Sequence, residues 1–141
     1  MTFFDLPLSA QQEIVQLLNN HIAVSADILL KDRCLIPMLM LPDTKQLMAL
    51  HGEDGPVDYD KCHNLAIRVL KDKNFTYALF SYSTRVALSS GKQTDALKTC
   101  IFTGDGIEIS FYSPYRIKGL FKKTIDLRKP IIGELRENVF A

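Results

Sequence analysis

The chain has 141 residues, 47% of them hydrophobic and 23% charged, with 7 Gly and 6 Pro, which excludes the Pro/Ser/Glu-biased composition of a disordered chain. A chain of this length hides roughly 68–70% of its unfolded surface, so one core forms without a disulfide or metal staple, and residues 1–141 read as a single domain. The net charge of +1 conceals a gradient, with 3 basic and 9 acidic side chains in residues 1–60, 7 and 4 in residues 61–110, and 7 and 3 in residues 111–141.

The acidic front and basic back could meet across a subunit contact, or the basic end could face nucleic acid or an acidic lipid surface. The plain alternative is two differently charged faces of one domain. Three cysteines, Cys34, Cys62 and Cys100, are odd in number and show no CxxC pairing, so they are expected as small core residues in a reducing cytosol. The opening "MTFFDLPLSAQQE" lacks a basic n-region and a long apolar run, arguing against a signal peptide. The longest apolar run, "CLIPMLMLP", falls well short of the ~20 residues of a membrane helix. A cytoplasmic domain without membrane insertion is expected.

Ser9 and Gln12 have capping-box spacing, and Ile14, Leu17, Leu18, His21 and Ile22 then recur at helical intervals, predicting an amphipathic helix over about Ala10–Ala26. "CLIPMLML" reads as a strand in which Pro37 removes a ladder donor and favours an edge or bulge. With "QLMALH" it predicts a hairpin of Cys34–Leu41 and Gln46–His51. The loop "GEDGPV" follows. Asp58 is a good N-cap, Asp60 suits the first turn, and Tyr59, Cys62, Leu65, Ala66, Val69 and Leu70 form one stripe, predicting a second helix over Tyr59–Asp72.

From Phe75 the period becomes that of strands: "FTYALFSYS" and "TRVALS", a turn at "SSGKQTD", then "ALKTCIFT" and "IEISFYS" around "GDG". Gly104-Asp105-Gly106 between β-formers is a strong hairpin signal. "GLFKKTIDL" alternates enough for a short strand. "PIIGELRENVFA" places Ile131, Leu135 and Val139 on one helical stripe behind Pro130, predicting a terminal helix in which Gly133 costs ~1 kcal/mol against Ala. The expected fold is α+β and two-layered: a mostly antiparallel sheet of about five strands covered by two helices, in the order α-β-β-α-β-β-β, followed by a C-terminal helix.

The densest chemical stretch is "HGEDGPVDYDKCH", from His51 to His63. No register of it supplies the alternating carboxylates, sixth glycine and twelfth glutamate of a calcium loop. For zinc, Cys62 and His63 are adjacent on a helix and diverge by ~100°, leaving His51, His63 and Asp54 or Glu53 as the metal candidates. A capped helix after an acidic loop is the competing explanation, and no cofactor is expected.

"FTGDGIE" is not a phosphate loop, since a strand rather than a helix follows it. The serines lack a GxSxG elbow, and Cys34 and Cys100, placed in apolar strands, disfavour a thiolate. No catalytic residue is assigned, and an enzyme is the less favoured class. His21 sits on the apolar stripe as a hydrogen-bonded boundary residue. "SFYSPYRIKGLFKK" interleaves Phe111, Tyr112, Tyr115 and Phe121 with Arg116, Lys118, Lys122 and Lys123, a pattern that stacks bases and holds phosphates in some proteins. In a plain sheet the same aromatics enter the core and the cations keep a strand end soluble.

Three stretches, "DRCLIPMLML" with Asp32 and Pro37, "TDALKTCIF" with Asp95-Ala96, and "SFYSPYR" with Pro114-Tyr115, resemble in order and spacing small uncharacterised bacterial proteins of similar length. Those run as helix, Asp-Gly...Pro strand, helix, Asp-Ala-Ile strand and Pro-Tyr ending. The resemblance implies a bacterial cytosolic α+β domain and carries no activity with it.

With no chemical constellation in view, the sequence favours a non-enzymatic protein-interaction module, a homo-oligomer or the binder of another protein, working through an apolar sheet edge at "CLIPMLML". The alternative is a small enzyme or ligand-binding domain with a pocket between helices and sheet, using His51, His63, Tyr115 or Arg116. Nucleic-acid binding through Arg116, Lys118, Lys122 and Lys123, within the basic stretch to Lys129, comes third.

Overall fold

The computed structural model describes residues 1–51 and 56–141. A single turn of 3-10 helix at Phe3–Asp5 leads into helix α1 (Leu8–Asp32), the hairpin β1 (Met38–Leu41) and β2 (Gln46–Ala49), and helix α2 (Tyr59–Lys71). Three long strands follow, β3 (Tyr77–Ala87), β4 (Gln93–Thr103) and β5 (Glu108–Lys118), and then two short ones, β6 (Thr124–Leu127) and β7 (Ile131–Arg136). The fold is α+β, as expected, with seven strands among the described residues in place of about five, because the tail adds two short ones. The antiparallel sheet runs β2-β1-β3-β4-β5-β6, with β7 also on β5.

The last two strands form one broken edge. β6 pairs with residues 115–118 of β5 and β7 with residues 108–112 of the same strand. Between them Arg128 donates its N–H to the Pro114 carbonyl at 2.9 Å, and within β7 the register slips between Ile109 and Phe111 of β5, opposite Gly133 and Glu134.

The layering differs from expectation. Along β3–β5 the odd residues Leu79, Ile101, Ile109 and Phe111 pack with Ile14 and Leu18 of α1, whereas the even residues Ala78, Phe80, Cys100 and Phe102 pack with Cys62, Ala66 and Leu70 of α2. Because successive side chains of a strand point to opposite faces, the helices cover opposite sides, giving three layers rather than two. The apolar stripes showed that each helix buries one side; nothing in them said which face of the sheet receives it.

Other boundaries also move. α1 extends to Asp32, since Leu29 is buried against Leu35, Leu97 and Tyr115, and it closes on Arg33 in the left-handed conformation (φ 63°). Its N-cap is Pro7, so Ser9 and Gln12 form no capping box; Thr2 instead donates its N–H to Asp5 at 2.6 Å. Asp58 caps α2, accepting from the Lys61 N–H at 3.1 Å.

Strand β1 is interior, flanked by β2 and β3, so "CLIPMLML" is not a sheet edge; Cys34 precedes the strand and is exposed. The C-terminal segment is strand β7, not a helix. A Cβ on Gly133 would come within 2.6 Å of Ser110 Oγ and 2.8 Å of the Tyr112 ring, so this glycine serves close strand approach. Val139 and Phe140 then fold back on the α2-side core, with the Phe140 ring 5.9 Å from Phe75 and 6.0 Å from Phe102. No described helix is long and apolar enough to cross a membrane.

His21 belongs to the α1-side core. It is buried, 2.7 Å from Ser81 Oγ and 3.3 Å from Ser25 Oγ, with Nδ1 unpartnered. Burial lowers its pKa to about 4, from the ordinary 6.5. Between those values the unfolded chain binds a proton that the folded chain refuses, so stability is full above pH 6.5 and falls as the pH drops toward 4. Urea unfolding at pH 7 and pH 4.5 is expected to show an acid loss with a His21 share of about 3 kcal/mol. His21→Gln is expected to flatten that share, and an unchanged pH dependence in the variant contradicts the assignment.

Candidate functional site

On the α2 side of the sheet the strands carry polar residues next to the apolar core. Strict antiparallel register sets Cys100 opposite Ser110, Phe102 opposite Glu108 and Lys98 opposite Tyr112. Tyr82, Lys98, Cys100, Glu108, Ser110 and Tyr112 all have the parity that faces α2. The helix is only 13 residues long. Its first turns bring Tyr59, Asp60 and His63 over this ground, and β7 adds Glu134 and Arg136 from the edge. With the strand residues other than Cys100, which lies beneath, they line a cavity of about 160 Å³.

At its floor Glu108 is 4% exposed, and its Oε2 lies 2.7 Å from His63 Nε2. Arg136 reaches the other oxygen, Oε1, at 3.5 Å. Burial pushes the Glu108 carboxyl up, but the His63 hydrogen bond and charge, with help from Cys100 and Arg136, outweigh it and hold the pKa below the ordinary glutamate value. The His63 ring stands 5.8 Å from Phe80 and 6.0 Å from Phe102, which fixes its place over the sheet. Cys100 completes the group: its sulfur and a donor atom each from His63 and Glu108 lie within 4.8 Å of one another. Desolvation raises the Cys100 thiol strongly, and the Glu108 carboxylate adds to it.

The opposite wall is aromatic and cationic. Tyr59 stacks on Tyr82 with ring centres 4.3 Å apart. The Lys98 ammonium sits 5.9 Å from the Tyr82 ring and 5.5 Å from the Tyr112 ring, a cation–π arrangement. Burial alone lowers the Lys98 pKa, yet its neighbours Cys100, Tyr82 and Tyr112 outweigh that and leave it raised. Lys98 pairs with no carboxylate among the described residues. The arrangement can place positive charge at Lys98 and Arg136 and offer N, S and O donors to a metal.

Of the metal candidates from sequence that lie among the described residues, His63 takes part and His51 does not. His51 is outside the one group of three donor residues found among the described residues, and Asp54 and Glu53 lie outside those residues. Tyr115 is buried on the α1 side, and with Arg116 it lines a separate open groove at the far end of the sheet. Lys118 pairs with Asp126 at 3.7 Å, and Lys122 and Lys123 are exposed around the β5–β6 turn. The four aromatics of that stretch do not share a surface. Phe111 and Tyr115 enter the α1-side core, Tyr112 lines the cavity, and Phe121 stands fully exposed at the turn.

Sequence reasoning missed Tyr82, Lys98, Cys100, Glu108 and Arg136. A signal was present: Lys98 in "ALKTCIF" and Glu108 in "IEISFY" are charges inside otherwise apolar strands, placed together by the "GDG" hairpin. Comparison with protein-family models, with curated proteins and with solved structures finds nothing that matches this chain.

Removing His63 leaves a buried carboxylate with only the longer Arg136 contact. His63→Ala is expected to cost about 2–3 kcal/mol in urea unfolding. In the Glu108→Gln background the same change is expected to cost far less, and strictly additive losses rule out the pairing.

Proposed function

We propose that the chain is a ligand-binding domain that takes a small anionic group, a carboxylate or phosphate, in the cavity between α2, the sheet and β7. Lys98 carries this reading. A partly buried ammonium held between two tyrosine rings keeps its charge there and meets no carboxylate among the described residues, so it is placed to receive an anion. Arg136 lines the same cavity and spends only one long contact on Glu108. A volume of about 160 Å³ limits the ligand to a few heavy atoms, and the carboxylates of Asp60 and Glu134 at its walls favour one that also carries a donor.

A second reading, the self-associating interaction module, keeps one specific observation. Phe4, Leu8 and Val15 are exposed along the N-terminal part of α1 and line a shallow apolar groove there. Light scattering checks it: a dimer dissociated by Leu8→Glu supports a second role for this face, and a monomer at all concentrations removes it.

For the main reading, calorimetric titration of the full chain with inorganic phosphate and small carboxylates is expected to give saturable binding. Lys98→Met is expected to weaken it by about tenfold to a hundredfold, while Lys118→Met, whose ammonium pairs with Asp126 in a different region, leaves it unchanged. Absence of saturable binding, or equal affinity in Lys98→Met, overturns the proposal.

A further inference from the structure

We infer that His63, Cys100 and Glu108 form a binding site for one borderline-soft divalent cation of the zinc class, at the floor of the cavity. Three separate elements supply the donors: α2 gives a ring nitrogen of His63, β4 gives Sγ of Cys100, and β5 gives a Glu108 oxygen, all within 4.8 Å of one another. Nitrogen, thiolate and carboxylate together match the preferences of zinc or cobalt, not those of calcium or magnesium, which take oxygen alone.

The adjustment needed is small. Around a tetrahedral ion the donors stand about 3.3–3.6 Å apart, from the metal–ligand lengths of such sites. The His63–Glu108 contact of 2.7 Å therefore opens slightly, and the sulfur closes on the other two donors by about 1.2 Å at most. Arg136 holds Oε1 and leaves Oε2 for the ion, the kind of outer contact that orients a ligating carboxylate. Phe80 and Phe102 confine the histidine ring. His63 and Glu108 line the cavity while Cys100 lies beneath it, so the fourth coordination position faces open space. On binding, the Cys100 thiol gives its proton to solvent and the sulfur becomes a thiolate ligand, while any proton shared by His63 and Glu108 is released with it.

The donors do not include Lys98, so the metal site stands or falls apart from the anion reading. The test adds cobalt(II) to the full-length reduced protein and follows absorption. One equivalent is expected to produce a thiolate-to-cobalt charge-transfer band with the visible spectrum of a four-coordinate ion, displaced by zinc. Cys100→Ser is expected to abolish the charge-transfer band. Should that core variant fail to fold, His63→Gln, a partly exposed position at which the amide still reaches Glu108, is expected to weaken cobalt binding by about a hundredfold. Cys34→Ser and Lys98→Met are expected to leave the spectrum intact. If Lys98→Met loses anion binding yet keeps the cobalt spectrum, the two sites are independent, as inferred. No charge-transfer band at millimolar cobalt, a band that survives Cys100→Ser, or one lost in Cys34→Ser overturns the inference and leaves the three residues as a hydrogen-bonded cluster only.

Discussion

The two-residue alternation of β3, β4 and β5 is the constraint on which everything else rests. Each of these strands is 11 residues long, and they pair without a slip from Tyr77 opposite Thr103 through Phe102 opposite Glu108. A shift of one residue would turn every side chain to the other face. It would carry Phe80, Phe102 and Cys100 away from α2 and Leu79, Ile101 and Ile109 away from α1, so the two apolar cores together pin the register. The polar residues on the α2 side are held there by the same pairing. Lys98 and Glu108 cannot leave that face without moving the core with them.

The short helix turns this constraint into a site. Cys62, Ala66 and Leu70 cover the apolar part of the even face, while Tyr59, Asp60 and His63 arrive over its polar part. Glu108 is buried there at the cost of desolvation, which His63 and Arg136 offset through hydrogen bonds and charge. That clasp ties α2 and β7 to β5, the strand next to the broken edge. It also explains why the tail forms a strand: Ser110 Oγ accepts the Glu134 N–H at 2.8 Å, and Gly133 permits the close approach.

Local chemistry in the sequence was legible where a few neighbouring residues decide the outcome. Asp58 caps α2 as its side chain predicts, and the "GDG" turn closes β4 on β5, with Gly106 at φ 97°. Features decided by distant partners were not. The end of α1 depends on the contact of Leu29 with Leu97 and Tyr115, and the strand at Ile131–Arg136 depends on an open edge of β5, whereas its own pattern fits a helix equally well. The site was hidden for the same reason. His63 was visible as a candidate ligand, but its partner Glu108 lies 45 positions away, and "HGEDGPVDYDKCH" drew attention to nearer carboxylates.

The central claim is that His63 and Glu108 meet on the sheet face beneath the cavity, and the nitrogen-15 spectrum of the histidine side chains tests it most directly. The expected result is a slowly exchanging, strongly deshielded Nε2 proton on His63 that disappears in Glu108→Gln. A His63 ring whose protons exchange as fast as those of a free imidazole, unaffected by Glu108→Gln, would contradict it.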